Sequence, residues 1–117
     1  MRKAVLDTNF LISAVSWKID FFGQMADYKL YVIPAVIDEL NKLAEGRGKD
    51  GVAARIALAL TERLSPLPFE GKADTALLTA TKEGYVVATQ DIALREKIKA
   101  ARGSVCYIRQ KKLIVCD

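Results

Sequence analysis

Short apolar runs alternate along this chain with segments of helical periodicity, and this alternation restricts the fold more than any other feature. Each run is apolar almost throughout, as expected for strands covered on both faces by helices in a parallel sheet. A chain of 117 residues is long enough for one hydrophobic core and too short for two. We therefore predict one α/β domain over residues 1–117, built as three α/β/α layers around a parallel sheet of about five strands. The predicted main strands are residues 3–6, 30–33, 85–88 and 105–108, with short edge strands within 65–69 and 113–115.

The segments between the strands predict six helices. Pro34 suits a first helical turn, and Gly84 and Gly103 are expected to close the helices before them. Residues 46–51 (GRGKDG) formally match a dinucleotide-binding pattern, but they follow a helix rather than a strand, so we interpret them as a polar loop. The predicted helices are residues 8–16, 20–28, 34–45, 52–64, 73–83 and 91–102.

Histidine is absent, which limits the chemistry open to this chain. Without it there is no imidazole general base, no Ser-His-Asp triad and no zinc site that needs imidazole. Any catalysis must use carboxylates, lysine, hydroxyls or metal ions. Of the two cysteines, which form no C-x-x-C motif, Cys106 lies in an apolar run and is expected to be a small core residue. No signal peptide or membrane span is evident, so we expect a cytoplasmic protein.

The net charge of +4 is modest, but its distribution is uneven. Residues 95–112 contain seven basic residues and only one acid. This segment is either a solvated helix face and tail, as in many small proteins, or a surface that follows a phosphate backbone.

Four acidic residues lie where open parallel sheets form their sites, beyond the carboxyl ends of the strands. Asp7 follows the first strand, Asp91 comes three residues after the strand ending at residue 88, and Glu39 and Asp74 lie on helices that can face the same end. Ordinary roles exist for all of them: a helix N-cap for Asp7 and Asp91, a first-turn acid for Asp74 and an exposed acid for Glu39. Neither Asp7 nor Asp91 has Glu or Gln three residues later, so no capping box supports the N-cap interpretation.

Taken together, the acids favour a metal site. Four carboxylates at one edge of a sheet would repel one another strongly unless cations neutralised them. Hard divalent ions take oxygen ligands of this kind, so we predict a site for Mg²⁺ or Mn²⁺.

Four short motifs around these acids resemble those of the PIN-domain nucleases. They occur in the family's order and span nearly the whole chain: VLDTNFLI at 5–12, VIDEL at 36–40, KADTAL at 72–77 and VVATQDIAL at 86–94. Each is weak alone, whereas the ordered set is specific. Residues 86–94 and 55–57 are most similar to the branch of eukaryotic small-subunit rRNA-processing nucleases and their archaeal relatives, and the similarity to VapC toxins is looser.

The resemblance assigns roles to individual residues. In the second motif the acid before the leucine is the ligand, which selects Glu39 rather than Asp38. Asp7, Glu39, Asp74 and Asp91 would form the metal-binding acidic cluster, with Asp7 and Asp91 as direct ligands. The polar residues that would orient the carboxylates or water are Asn9, Thr89 and, with less support, Thr8.

The implied activity is hydrolysis of single-stranded RNA by metal-activated water. One or two ions, about 3.5–4 Å apart if two, would lower the pKa of a bound water and leave 5′-phosphate and 3′-hydroxyl ends. Basic side chains would hold the RNA backbone without selecting sequence. The preference for RNA, including pre-rRNA or the ribosome, comes from the family alone. The candidate RNA-binding residues are Arg47, Lys49, Arg95, Lys97 and Arg102.

Several alternatives compete with this interpretation. A haloacid-dehalogenase-type phosphatase needs a second aspartate where this chain has Asn9, and a receiver domain needs an aspartate at the end of a middle strand, where Pro34 follows Ile33. A non-catalytic PIN domain would typically have lost some of the four acids. A VapC-type toxin would need an antitoxin partner. A homodimer is a further expectation, because members of the family that this chain resembles often dimerise. The apolar residues Trp17, Phe21 and Phe22 form either a dimer face or part of the core.

Overall fold

The sheet carries the predicted architecture and adds one antiparallel edge. The computed structural model describes residues 1–117 and contains β1 (Arg2–Leu6), β2 (Tyr28–Val32), β3 (Ser65–Pro66), β4 (Val86–Ala88), β5 (Val105–Arg109) and β6 (Leu113–Cys116). The strand order is β3-β2-β1-β4-β5-β6. All pairings are parallel except that of β5 with β6. The predicted parallel sheet of about five strands is therefore confirmed, with β6 as a sixth.

Helices cover both faces of this sheet. They are α1 (Thr8–Ser16), α2 (Phe21–Gln24), α3 (Pro34–Ala44), α4 (Lys49–Thr61), α5 (Ala73–Lys82) and α6 (Ile92–Ala100). From β1 to β3 the chain moves toward one edge of the sheet, and right-handed crossovers in that direction place α1 to α4 on one face. From β3 through β4 to β5 the chain moves the opposite way, so right-handed crossovers place α5 and α6 on the other face. Accordingly α1, α3 and α4 pack together, and α5 packs against α6. The three-layer α/β/α prediction is confirmed.

Two helix boundaries differ from the prediction. The helix expected over residues 20–28 ends at Gln24, and Tyr28 opens β2 opposite Arg2. The first turn of α4 begins at Lys49, so only part of the expected 46–51 loop is a loop. At Gly51 a Cβ atom would collide with the Gly46 carbonyl oxygen, so glycine allows this turn to pack closely against the end of α3.

The core forms on both sides of β1 and β4, which are the central strands. Phe10 and Phe21 meet edge to face at 6.3 Å between ring centroids, and Phe21 stacks on Phe22 at 4.5 Å. Phe21 is buried, and Trp17 and Phe22 pack against the core while partly buried. The apolar cluster proposed as either a dimer face or core therefore belongs mainly to the core.

A disulfide joins β5 to the edge strand β6. Cys106 and Cys116 face each other in the antiparallel register, with their Cα atoms 4.0 Å apart. Cys106 is fully buried, as expected for a small core residue. Its disulfide was not predicted, because the register of this hairpin could not be read from the sequence. In none of the helices is there a stretch long and apolar enough to span a bilayer.

Candidate active site

The four predicted acids line a single hollow at the carboxyl edge of the sheet. Asp7 directly follows β1 and Asp91 follows β4, and these neighbouring parallel strands end side by side. Glu39 reaches the same place from α3 and Asp74 from the first turn of α5. The hollow, hereafter the acidic hollow, has a volume of about 400 Å³ and no basic lining residue. It is lined by Asp7, Thr8, Asn9, Ile12, Ser13, Glu39, Leu43, Ala73, Asp74 and Asp91.

Asp7 is the most buried of these acids, with 7% of its surface exposed. Its Oδ1 accepts the Thr8 backbone N–H at 2.8 Å, and its Oδ2 accepts the Thr89 hydroxyl at 2.7 Å. Burial raises the pKa of Asp7, and the nearby carboxylates of Asp74 and Asp91 raise it further, while the two hydrogen bonds oppose the shift. Asp7 is thus held rigidly in a place where its negative charge lacks a cationic partner.

Thr89 and Asn9 join the loop after β1 to the loop after β4. The fully buried Thr89 hydroxyl that donates to Asp7 also lies 3.2 Å from Asn9 Oδ1 and accepts the Asp91 N–H at 3.2 Å. Asn9 Oδ1 in turn accepts the Gln90 N–H at 2.9 Å. One hydroxyl therefore contacts three of the predicted site residues, which is consistent with an orienting role for short polar side chains.

Gln90 is a positioning residue to which the sequence analysis assigned no role. Its side chain pairs with the Ile108 backbone, accepting the N–H at 2.6 Å and donating to the carbonyl at 3.2 Å. This clamp ties the segment that carries Asp91 to the end of β5. The only sequence signal of this role is that a glutamine precedes the candidate ligand Asp91. Its pairing with the Ile108 backbone depends on strand order, which the sequence does not show.

The remaining acids are more accessible. Burial, followed by the charge of Asp7, raises the pKa of Glu39, and contact with the Thr8 hydroxyl opposes this shift. Asp91 Oδ1 accepts the Leu94 N–H at 3.1 Å, so Asp91 caps α6, just as Asp7 caps α1. The doubt about capping raised by the missing capping boxes was wrong: both residues cap a helix and also line the acidic hollow.

The donors of the acidic hollow suit a hard divalent cation. They include carboxylate and hydroxyl oxygens, the ligand atoms that such ions prefer. The Thr8 hydroxyl oxygen is buried and has no hydrogen-bond partner within the protein. No three carboxylates lie close enough together to bind one ion directly. An ion here would therefore need side-chain adjustment or bridging waters, which Mg²⁺ commonly retains.

The basic residues predicted to bind RNA are distributed around the molecule. Lys49 lies beside Val15 in a groove next to the acidic hollow, Arg47 is exposed in the loop before α4, and Lys97 is exposed on α6. The Arg95 guanidinium lies over the Tyr107 ring, 4.1 Å from its centroid. In contrast, Arg102 lies with Arg2, Val86 and Ser104 at the opposite edge of the sheet, where the strands begin. Four of the five therefore remain candidates for a surface around the acids, and Arg102 does not adjoin it.

Comparisons with known proteins agree with this geometry. A family model described as a PIN-like domain matches residues 4–111. Ribonuclease VapC9 of Archaeoglobus fulgidus is 34% identical over an alignment covering 100% of this chain and 90% of that protein. Ribonuclease VapC4 of Methanocaldococcus jannaschii is 32% identical, with 96% and 94% covered. Among solved structures, the PIN domain endonuclease Utp24 superposes with a TM-score of 0.81 at 26% identity, covering 98% of this chain and 90% of that one. On the family match and these relatives together, the chain belongs to the PIN-domain family.

Proposed function

We propose that this protein is a divalent-metal-dependent endoribonuclease that cleaves single-stranded RNA. The observation that carries the proposal is the acidic hollow, which is lined by carboxylates from four separate segments and by no basic residue. The names of the curated relatives, both ribonucleases, support RNA as the substrate. Retention of all four acids argues against a non-catalytic PIN domain that only binds RNA or the ribosome.

In this proposal Asp7 and Asp91 would bind Mg²⁺ or Mn²⁺ directly, and Glu39 and Asp74 would bind it directly or through water. The ion would supply a water of lowered pKa and positive charge to offset the phosphate under attack. Thr89 and Asn9 hold Asp7 and the Asp91 segment in place. Because the hollow itself is negative, it repels RNA phosphates when metal-free, so the cation, or removal of one of the acids, should strengthen RNA binding.

The RNA backbone would lie on basic residues flanking the acidic hollow. Lys49 lines a groove together with Val15 and Ser16 of α1, and Arg47 lies in the loop before α4. Arg95 and Lys97 lie on α6. Contacts of this kind supply affinity that weakens with salt and carry no sequence selection. Arg102 would contact only a longer RNA that reaches the opposite edge of the sheet.

We also propose a role in rRNA processing, with pre-rRNA or the ribosome as partner, on the similarity of residues 86–94 and 55–57 to that branch of the family. The second candidate is a VapC-type toxin ribonuclease with an antitoxin partner, which the names of the curated relatives favour. Growth arrest on expression, relieved by the product of a neighbouring gene, would identify the toxin. We also propose a cytoplasmic location, where disulfides are rare. Cys106 recovered as a free thiol from cells lysed in an alkylating agent would support this location, and recovery of the Cys106–Cys116 disulfide would contradict it.

Two neighbouring acids on α3 provide a matched test of the endoribonuclease proposal. Glu39 lines the acidic hollow, whereas Asp38 lines a separate one with Pro34 and Pro66. With Mn²⁺ and labelled single-stranded RNA, Glu39→Gln should lower the cleavage rate by about tenfold or more, and Asp38→Asn should leave it near wild type. Equal effects of the two variants, or cleavage that persists in EDTA, would refute the proposed metal mechanism.

A further inference from the structure

A second hollow adjoins the acidic hollow along α6. It has a volume of about 210 Å³ and is hereafter called the α6 hollow. Adjacent residues connect the two, because Asp91 lines the acidic hollow and Ile92 lines the α6 hollow. The lining residues of the α6 hollow are Ile92, Arg95, Glu96, Lys99 and Tyr107.

The helical residues of the α6 hollow form one continuous stripe. Ile92, Arg95, Glu96 and Lys99 follow the i, i+3, i+4, i+7 spacing that places side chains on one helix face. At a rise of about 1.5 Å per residue, the stripe extends roughly 10 Å away from the acidic hollow. An RNA chain bound at the carboxylates would meet this stripe at its Ile92 end.

Arg95 is held in an orientation suited to recognition. Its guanidinium lies over the Tyr107 ring at 4.1 Å from the centroid, and its Nε is buried without a hydrogen-bond partner. It forms no ion pair, since the single ion pair in the structure joins Lys99 to Asp117 at 3.3 Å. A planar, charged group stacked on an aromatic ring but lacking a carboxylate partner is available for an external ligand.

Ile92 adds an apolar surface that the fold does not use. Its side chain is 64% exposed directly beside a candidate metal ligand, although most large apolar residues are buried. Glu96 adds hydrogen-bond acceptors next to it. Apolar contact, a stacked guanidinium plane and nearby acceptors are the groups by which proteins bind an unstacked base of single-stranded RNA.

We propose that the α6 hollow binds one unpaired nucleobase of the RNA, next to the phosphate that is cleaved. The base packs between Ile92 and the Arg95–Tyr107 stack, and its exocyclic groups face Glu96. This inference rests on the proposed endoribonuclease function, and it adds where the RNA strand lies on the protein. It also predicts a preference for single-stranded RNA, because a base within a duplex cannot enter the hollow.

Charge-matched variants on α6 separate this site from general electrostatic attraction. Arg95→Ala and Lys97→Ala each remove one positive charge from the same helix, but Lys97 does not line the α6 hollow. In an Asp7→Asn background, fluorescence anisotropy with labelled single-stranded RNA should show affinity about tenfold or more lower for Arg95→Ala. Lys97→Ala should weaken binding only about two- to threefold, as one phosphate contact does. The exposed Ile92→Ser substitution, which cannot disturb the core, should also weaken binding more than Lys97→Ala.

An abasic substitution scanned along the RNA locates the base. At one position near the cleavage site, removal of the base should cost as much affinity as Arg95→Ala, and the two losses should not add. The same abasic substitution should add fully to Lys97→Ala. If every abasic loss adds to Arg95→Ala, or if Arg95→Ala and Lys97→Ala bind equally well, the nucleobase site is refuted and the α6 hollow serves a different partner. Wild-type cleavage of the unmodified RNA tests the enzyme proposal separately.

Discussion

Replacing Thr89 with valine tests whether one hydroxyl organises the acidic hollow. Valine has nearly the same shape, so the packing at this fully buried position is kept while three polar contacts are lost. The principal loss is the 2.7 Å hydrogen bond to Asp7 Oδ2, and the Asp91 N–H also loses its acceptor at 3.2 Å. A hydrogen bond to a charged group contributes about 1.5–3 kcal/mol, so we expect the free energy of unfolding to fall by about 2 kcal/mol.

This loss should be visible as a change in melting temperature. An unfolding entropy of about 2.1 cal/mol/K per residue gives roughly 0.25 kcal/mol/K for this chain, so the melting temperature should fall by about 8 °C in EDTA. Loss of a group that orients a ligand typically weakens metal binding by about 10–100-fold. Thermal unfolding followed by circular dichroism and Mn²⁺ titration by calorimetry measure the two effects.

Thr81→Val is the matched control for Thr89→Val. The Thr81 hydroxyl is also buried, but it donates to the Leu77 carbonyl within α5 at 3.0 Å, away from the acidic hollow. This bond has a neutral acceptor, so its loss should cost about 1 kcal/mol and leave Mn²⁺ affinity unchanged. If Thr89→Val lowers stability no more than Thr81→Val and binds Mn²⁺ as the wild type does, the Thr89 hydroxyl does not organise the site.

Three further predictions follow from the structure. Burial raises the folded-state pKa of Asp7, so its ionisation opposes folding as the pH rises above the ordinary value of about 3.8. Asp7→Asn should therefore raise the melting temperature in EDTA at pH 8, have little effect at pH 3.5 and abolish stabilisation by Mn²⁺. Reducing the Cys106–Cys116 bond should lower the unfolding free energy in urea by about 3 kcal/mol, the loop-closure value for a separation of 10 residues, and an unchanged midpoint would show that the bond does not stabilise the fold. Gly51→Ala should destabilise the protein in thermal unfolding because its Cβ meets the Gly46 carbonyl, although alanine is better than glycine by about 1 kcal/mol in an open helix; a gain in stability would contradict that contact.

Local pattern was sufficient where a segment's structure depends mainly on its own residues. The apolar runs ending at Leu6 and Ala88 form central strands, and the helix beginning at Pro34 starts where proline is favoured. The expectation of a long second helix was wrong because Tyr28 pairs with Arg2, a residue distant in sequence. The start of α4 was also misplaced, since the contact between Gly51 and Gly46 appears only when α3 and α4 pack together.

For the site, the sequence identified the acids and the fold supplied their partners. Asp7, Asn9 and Thr89 were all predicted as site residues. Their hydrogen bonds join residues about eighty positions apart, and a pairing over that distance cannot be predicted from periodicity or motif spacing. For the same reason the clamp between Gln90 and the Ile108 backbone was not predicted, because it requires β5 to lie beside β4.

The sequence by itself determined the alternation of strands and helices, the positions of the acids at strand and helix ends, and the absence of imidazole chemistry. These properties are local, arising from side-chain polarity, backbone preference and composition. The tertiary structure alone decided that the carboxylates share one hollow, that Cys106 pairs with Cys116, and that Arg95 lies on Tyr107 while Arg102 lies at the opposite edge. The physical reason is that strand order and register set which distant residues meet, and both are chosen by packing of the whole core.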